Sequence, residues 1–288
     1  MSDQLEKIGV LGCGLMGAGI AEVCARKGLC VVVVEANPEA VERGRDKVLH
    51  SLEGAVTRGK LTEGDRVAAV ARLEFTHDWD ALADRDIVIE AVSEDPVLKV
   101  AAFQQLDQVV VSREAILATN TSSIPIMRLA TATARPAQVI GVHFFNPVPV
   151  LPLVELVPSL MSSPATIERV TAFAAGVLGK QVIRSKDRAG FVVNALLIPY
   201  LLSSIRMFES GFATAEDIDS GMVHGCAHPM GPLALADLIG LDTTMAVADS
   251  MYEEFKEPLY AAPPLLSRMV QAGLLGRKTG RGFYEYRK

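Results

Sequence analysis

Four cysteines in 288 residues, Cys13, Cys24, Cys30 and Cys226, offer neither a CxxC pair nor zinc-ligand spacing. No metal is therefore expected, and a reducing cytoplasmic compartment suits these thiols best. Aromatic residues make up only 6%, with a single tryptophan. No apolar run approaches the ~20 residues of a membrane helix, so no membrane association is expected. Positive charge is also scarce: a net charge of −6 leaves no electrostatic footprint for nucleic acid or acidic headgroups. An anionic ligand must then be held by a local site. The amino-terminal Met1-Ser2-Asp3-Gln4-Leu5-Glu6-Lys7 has no basic region ahead of an apolar one, so it does not read as a signal peptide. Repeats and low-complexity tracts are missing.

What is present is apolar bulk. At 50% hydrophobic and 22% charged, the chain suits one large or two modest domains. Ile8-Gly9-Val10-Leu11 reads as a strand and runs straight into Gly12-Cys13-Gly14-Leu15-Met16-Gly17. Helical spacing follows from Ala18 to Lys27. Val31-Val32-Val33-Val34 shows no alternation, as expected of a parallel strand buried on both faces, and it ends on Glu35. Strand, GxGxxG, helix, strand and acid together form a dinucleotide fingerprint. Its glycines let backbone approach a pyrophosphate resting on the helix amino terminus, and Glu35 is spaced to accept from the adenosine ribose. NAD is the implied cofactor.

Pro38 to about Arg58 and a second segment from Thr62 form a helical hairpin longer than a crossover needs. Ser51, Arg58 and Lys60 on it could hold an acidic handle of a substrate. Further strands are expected at Leu73–Phe75, Ile87–Val92, Ile116–Thr119, Gln138–Val142, Leu153–Val157 and Gln181–Arg184. Helices are expected at Pro96–Val111 and Pro164–Leu178. The pattern changes at Ser185–Gly190. Phe191–Glu209 is apolar almost all round and reads as the central helix of a helical domain, with segments at Ala215–Val223, Leu233–Ile239, Asp242–Phe255 and Leu265–Ala272 packed on it. The expected architecture is α/β: a Rossmann-type domain over 1–186 with an inserted helical hairpin, then an all-α domain over 187–288. So much apolar surface on the second domain suggests a homodimer interface.

Polar groups cluster where apolar runs stop: Thr119 to Ser123, then His143 to Pro147, then Glu155. Such positions should lie at strand ends, where open α/β sheets bind ligands. His50 and His77 sit in polar stretches, and His224 and His228 flank a Gly225 break that does not favour a metal. Only His143 closes a buried strand, and Glu155 lies in an apolar run that demands a partner. If the two strands are neighbours, Glu155 can accept from one imidazole nitrogen and leave the other as base.

The ordered motifs resemble the short-chain L-3-hydroxyacyl-CoA dehydrogenases, particularly bacterial 3-hydroxybutyryl-CoA dehydrogenases, over essentially the whole chain. The likeness rests on Gly12–Gly17, Asn120-Thr121-Ser122-Ser123, His143-Phe144-Phe145-Asn146-Pro147-Val148-Pro149, Gly190-Phe191-Val192-Val193-Asn194, His228-Pro229-Met230-Gly231-Pro232 and the tail from Gly276 to Tyr284. It implies that His143 is the general base oriented by Glu155, and that Ser122 and Asn194 bond the substrate's C3 oxygen. It further implies that Glu35, Glu94, Lys99, Asn146 and Lys278 contact the nicotinamide cofactor, and that Ser51 and Arg58 meet coenzyme A. One departure is Ala195, where many members carry arginine. A 3-hydroxyacyl carrier-protein thioester and a free sugar acid such as L-gulonate are the alternative substrates. A catalytically dead binding protein of this fold is disfavoured, because all four catalytic-site residues are present.

Overall fold

Runs of valine and isoleucine with no polar alternation need burial on both faces, and here they assemble one sheet. The computed structural model describes residues 5–286; the amino-terminal Met1–Gln4 discussed above lies outside them. The strands are β1 (Lys7–Leu11), β2 (Cys30–Val34), β3 (Leu73–Thr76), β4 (Ile87–Glu90), β5 (Ile116–Thr119), β6 (Val139–Phe144), β7 (Leu153–Pro158) and β8 (Gln181–Arg184). Their order is β3-β2-β1-β4-β5-β6-β7-β8. Pairing is parallel as far as β6; β7 then runs antiparallel to β6, and β8 parallel to β7. Ile8, Val10, Ile87, Ile89, Ile116 and Val142 form its buried spine.

Two expected ends move. β4 stops at Glu90 rather than Val92, because the Val92 N–H turns back to donate to the Glu90 carboxylate at 2.7 Å. β6 continues through His143 to Phe144, so the histidine lies inside the strand and not beyond it. Glu155 is likewise the third residue of β7 rather than its end. Reversal of β7 nevertheless brings it to the edge where β6 finishes.

Helices α1 (Leu15–Arg26), α2 (Pro38–Thr57), α3 (Glu63–Val70), α4 (Pro96–Val109), α5 (Ile126–Ala130) and α6 (Pro164–Ala172) complete this unit. The α2–α3 hairpin is cut at both starts by side-chain caps: Asn37 accepts from Ala40 N at 2.8 Å and Thr62 from Asp65 N at 3.1 Å. α4 ends before Val111 because Arg135 takes up the carbonyls of Asp107, Val110 and Ser112. The helix expected to reach Leu178 leaves α geometry at Phe173, where a single π turn runs to Val177.

The chain divides into two compact units between Arg188 and Ala189. The second contains α7 (Val193–Glu209), α8 (Ala215–Gly225), α9 (Pro232–Ile239), α10 (Leu241–Phe255) and α11 (Pro264–Gln271). α7 starts two residues later than its apolar run, since Gly190 (φ 82°) and Phe191 (φ 48°) occupy the left-handed region. Leu201, Leu202 and Ile205 of α7 pack on Leu233, Leu241, Ala248 and Met251. The helix is not covered all round, for Leu196 is 74% exposed. Past α11 the tail folds back through bridges of Arg281 with Gly276 and Glu285. Among the described residues no helix is long and apolar enough to cross a membrane, and no group of three or more His, Cys, Asp or Glu side chains could hold a metal ion.

Candidate active site

The glycine loop is shaped by contact at two positions and by openness at a third. Gly12 has φ +90°, and a Cβ there would stand 2.9 Å from the Ala91 carbonyl. A Cβ on Gly17 would meet the Gly12 carbonyl at 1.9 Å, so helix and loop can approach only without one. Gly14 faces open space. α1 begins at Leu15 and Met16 with no side-chain cap, which leaves its first amides for a ligand. Beside the loop, Glu35 accepts from Cys13 N and from Ala36 N. A cavity of about 440 Å³ opens here, lined by Gly12, Gly14, Glu35, Trp79 and Ala101 among others. Uncapped helix amides, a glycine cradle and an acid beyond it fit a dinucleotide. Two residues here were not singled out from sequence: Trp79, and Lys47 of α2, whose ammonium donates to the Cys13 carbonyl at 3.4 Å. Burial and the Glu35 carboxylate push the Cys13 thiol up to about 12, which favours its neutral, protonated form.

At the ends of β4 and β5 an ion-pair network, buried at Glu90 and Lys99 and exposed at Glu94, ties two loops together. Lys99 Nζ, 1% exposed, donates to Glu90 Oε1 at 2.6 Å and to the Val92 carbonyl at 3.2 Å, and lies 3.3 Å from Glu94 Oε2. Glu90, fully buried, also accepts from Thr119 Oγ1 at 2.7 Å. Glu94 Oε1 accepts from Ser122 N at 2.9 Å, Ser123 N at 3.2 Å and the Thr121 hydroxyl, with Ser122 Oγ at 3.4 Å. Burial alone would raise the Glu94 carboxyl, but the Lys99 charge and the Thr121 and Ser122 bonds hold it below the usual carboxylate range. Glu94, Lys99 and Ser122 are thus brought together. Thr119 and Thr121, from the polar stretch Thr119–Ser123, join the same cluster, as does Glu90, which was not singled out from sequence; the available signal was a glutamate closing an otherwise apolar strand.

His143 and Glu155 face each other directly in the β6–β7 register. His143 Nδ1 lies 2.8 Å from Glu155 Oε2, with the histidine 6% and the glutamate 0% exposed. Phe145 stands edge-on to the imidazole at 4.6 Å between ring centroids. Asn120 Oδ1 accepts from Phe144 N at 2.9 Å, so the loop bearing Ser122 is stitched to the strand bearing His143. Asn146 follows on an exposed turn, and the buried Lys180 secures that turn by donating to the carbonyls of Val148 and Leu151 at 2.6 and 2.7 Å.

The hairpin residues behave differently. Ser51 Oγ donates to the buried Glu22 at 2.6 Å, and Glu22 also pairs with Arg26 at 3.1 Å, so the one hydroxyl proton of Ser51 is committed to α1. Arg58 caps α2 and folds back over Gly54, while Lys60 is exposed beyond it. Two further candidates belong to the second unit. Asn194 is the second residue of α7, half-buried. Lys278 donates to both oxygens of Asp242 at 2.6 Å.

Comparison with known proteins places this geometry. Residues 7–188 match the family model described as 3-hydroxyacyl-CoA dehydrogenase, NAD binding domain, and residues 190–286 match the C-terminal domain of the same family. The chain is 58% identical over 286 residues to a 3-hydroxybutyryl-CoA dehydrogenase of Mycobacterium tuberculosis, covering 99% of this chain and 100% of that one. The solved structure of M. tuberculosis FadB2 superposes with a TM-score of 0.98 at 57% identity, over 99% of this chain and 100% of that one. The (S)-3-hydroxybutyryl-CoA dehydrogenase PaaH1 of Ralstonia eutropha gives 0.93 at 47% identity, with the same coverage.

Proposed function

The chain belongs to the 3-hydroxyacyl-CoA dehydrogenase family, and from that premise we propose that it interconverts (S)-3-hydroxybutyryl-CoA and its 3-keto thioester. NAD, when bound, supplies the acceptor for the hydride that leaves C3. The pairing of His143 with Glu155 is the observation that carries the reading. With Nδ1 engaged by a buried carboxylate, Nε2 is the nitrogen that takes the C3 hydroxyl proton. Glu155 then faces an imidazolium rather than a neutral ring, so the pair is worth most as charge develops. Ser122, fixed by Glu94 through its amide, offers its hydroxyl to the C3 oxygen. Asn194 is assigned a second bond to that oxygen, and Asn146 and Lys278 cofactor contacts. Arg58 and Lys60 are exposed cations suited to the phosphates of coenzyme A. Residues 1–186 would hold the cofactor, and 187–288 the substrate and a dimer contact. We place the protein in the cytoplasm as a homodimer; exposed Leu196 and Phe212 on the helical unit support self-association, and sedimentation velocity decides it.

The decisive test is His143→Gln. It should bind NADH normally by calorimetry and lose roughly 10²–10⁴-fold in kcat with acetoacetyl-CoA. A loss under about tenfold removes His143 from the role of base. Arg58→Ala with Lys60→Ala should raise KM for the CoA thioester yet spare a truncated pantetheine thioester, since a phosphate contact contributes uniform binding. Equal losses on both substrates would detach these residues from the handle.

A further inference from the structure

β6 outruns one of its neighbours. The β5–β6 pairing ends at Thr119↔Gly141, yet β6 continues through Val142 and His143 to Phe144. On the other side β7 keeps pace, pairing as far as Phe144↔Val154. The gap beyond β5 is filled by one side chain. Asn120, half-buried, is the first residue past that strand. Its N–H donates to the Glu90 carbonyl at 2.8 Å. Its Oδ1 accepts from Phe144 N at 2.9 Å, taking the place of the strand that has turned away. A backbone N–H can only donate, so the atom facing it must be the amide oxygen.

Two polar groups assigned to the substrate's C3 oxygen flank this bond. Ser122 lies two residues after Asn120, and His143 one residue before Phe144. Ser122 is held through its amide by Glu94 at 2.9 Å, and His143 through its ring by Glu155 at 2.8 Å. Those two carboxylates stand on different elements, so neither bond sets Ser122 against His143. The bond from Phe144 to Asn120 joins the two segments. Resting on the dehydrogenase reading above, we propose that Asn120 is a positioning residue that sets the spacing between the Ser122 hydroxyl and the His143 imidazole. Both groups must come within roughly 2.6–3.2 Å of one substrate oxygen. A misplacement of about 1 Å at such a centre can cost on the order of 10²-fold in rate. Cofactor binding draws chiefly on the glycine loop and Glu35, which this bond does not touch. Asn120 therefore acts on turnover rather than on affinity.

Asn120→Ala and Asn120→Asp separate this role from a general structural one. Asn120→Ala removes the acceptor and should lower kcat with acetoacetyl-CoA by roughly 10- to 100-fold, counted per NADH site titrated by calorimetry. Its Kd for NADH and its KM for acetoacetyl-CoA should stay within a few-fold of wild type. The Phe144 amide should exchange faster with deuterium. Asn120→Asp keeps an oxygen at the same reach and should recover most of the lost turnover, since only an acceptor is needed. Misfolding would lower the number of NADH sites, not the rate at each, and aspartate would not cure it. A kcat per site within about threefold of wild type in Asn120→Ala overturns the proposal and leaves the dehydrogenase reading intact. A loss confined to KM or Kd does the same, as does an aspartate variant as slow as the alanine one. Wild type that leaves NADH unoxidised with acetoacetyl-CoA overturns both.

Discussion

Two carboxylates in this molecule do the same job with opposite electrostatic outcomes. Glu94, in the sheet unit, collects the amides of Ser122 and Ser123 and the Thr121 hydroxyl. Asp237, in the helical unit, collects the amides of Phe283 and Tyr284 at 3.0 Å each and the Tyr286 hydroxyl at 3.0 Å, and so folds the tail onto α9. Each is a side-chain acceptor that organises a turn. Glu94 has Lys99 at 3.3 Å and is held below the ordinary carboxylate range. Asp237 is raised, first by burial and also by the neighbouring Asp219, despite its three donors. At Asp237 the neutral hydrogen bonds do not outweigh burial and the Asp219 charge. At Glu94, whose side chain keeps 38% of its surface exposed, the Lys99 charge adds to the hydrogen bonds and the balance falls the other way. The region that must present polar groups to a ligand is the one that received the lysine.

The largest way to break this contrast is Lys99→Met. It leaves Glu90 buried without its countercharge and should destabilise the sheet unit by about 3–5 kcal/mol in urea unfolding, with loss of NADH binding. A protein that unfolds with wild type would mean that the lysine is not what separates the two regions. A smaller effect is expected of Asp219→Asn. It weakens the charged acceptor for Leu233 N, Ala234 N and Tyr284 OH. It also relieves Asp237, so the net cost should be on the order of 1 kcal/mol in urea unfolding followed by tryptic release of the tail. A loss above that of Lys99→Met reverses the ranking.

The smallest and sharpest prediction is a crossover with pH in amide exchange. Glu94 has a folded pKa below its unfolded value, so its contribution is present above ~4.3 and lost as pH falls through the lower folded value. Protection of the Ser122 and Ser123 amides should fade on acidification. Asp237 has a raised folded pKa, so its contribution is complete below ~3.9 and lost as pH rises through the higher folded value. Protection at Phe283 and Tyr284 should therefore be greater at acid pH. Parallel pH dependence in both segments would sink the comparison.

The sequence revealed the ends of this story better than its middle. Valine and isoleucine runs without alternation marked the strands, and fixed spacing from Gly12 to Glu35 marked the cofactor loop. His143 and Glu155 stood out because a charge inside an apolar run needs a partner. Strand direction has no signature in side-chain periodicity, so the reversal of β7 was invisible although the contact depended on it. The Glu90–Lys99 pair links a strand end to a helix interior across a loop, and neither letter is unusual alone. Ser51 matched a family position for coenzyme A, yet its bond to Glu22 arises from how α1 packs on α2. A glutamate amid Ile20, Ala21, Val23 and Cys24 was the signal available there.

The two buried lysines also bear on chemical ageing. Thioesters acylate amines, and a protein that handles them all day exposes its own lysines to its substrate. Attack needs an approachable nitrogen lone pair. Lys99 and Lys180 are 1% and 9% exposed, and their ammonium groups are enclosed by backbone carbonyls and, for Lys99, carboxylates. The turn bearing Asn146 and the loops bearing Glu94 and Ser122 therefore hang from amines that the reagent cannot reach, whereas adventitious acylation would fall first on exposed residues such as Lys47 and Lys60.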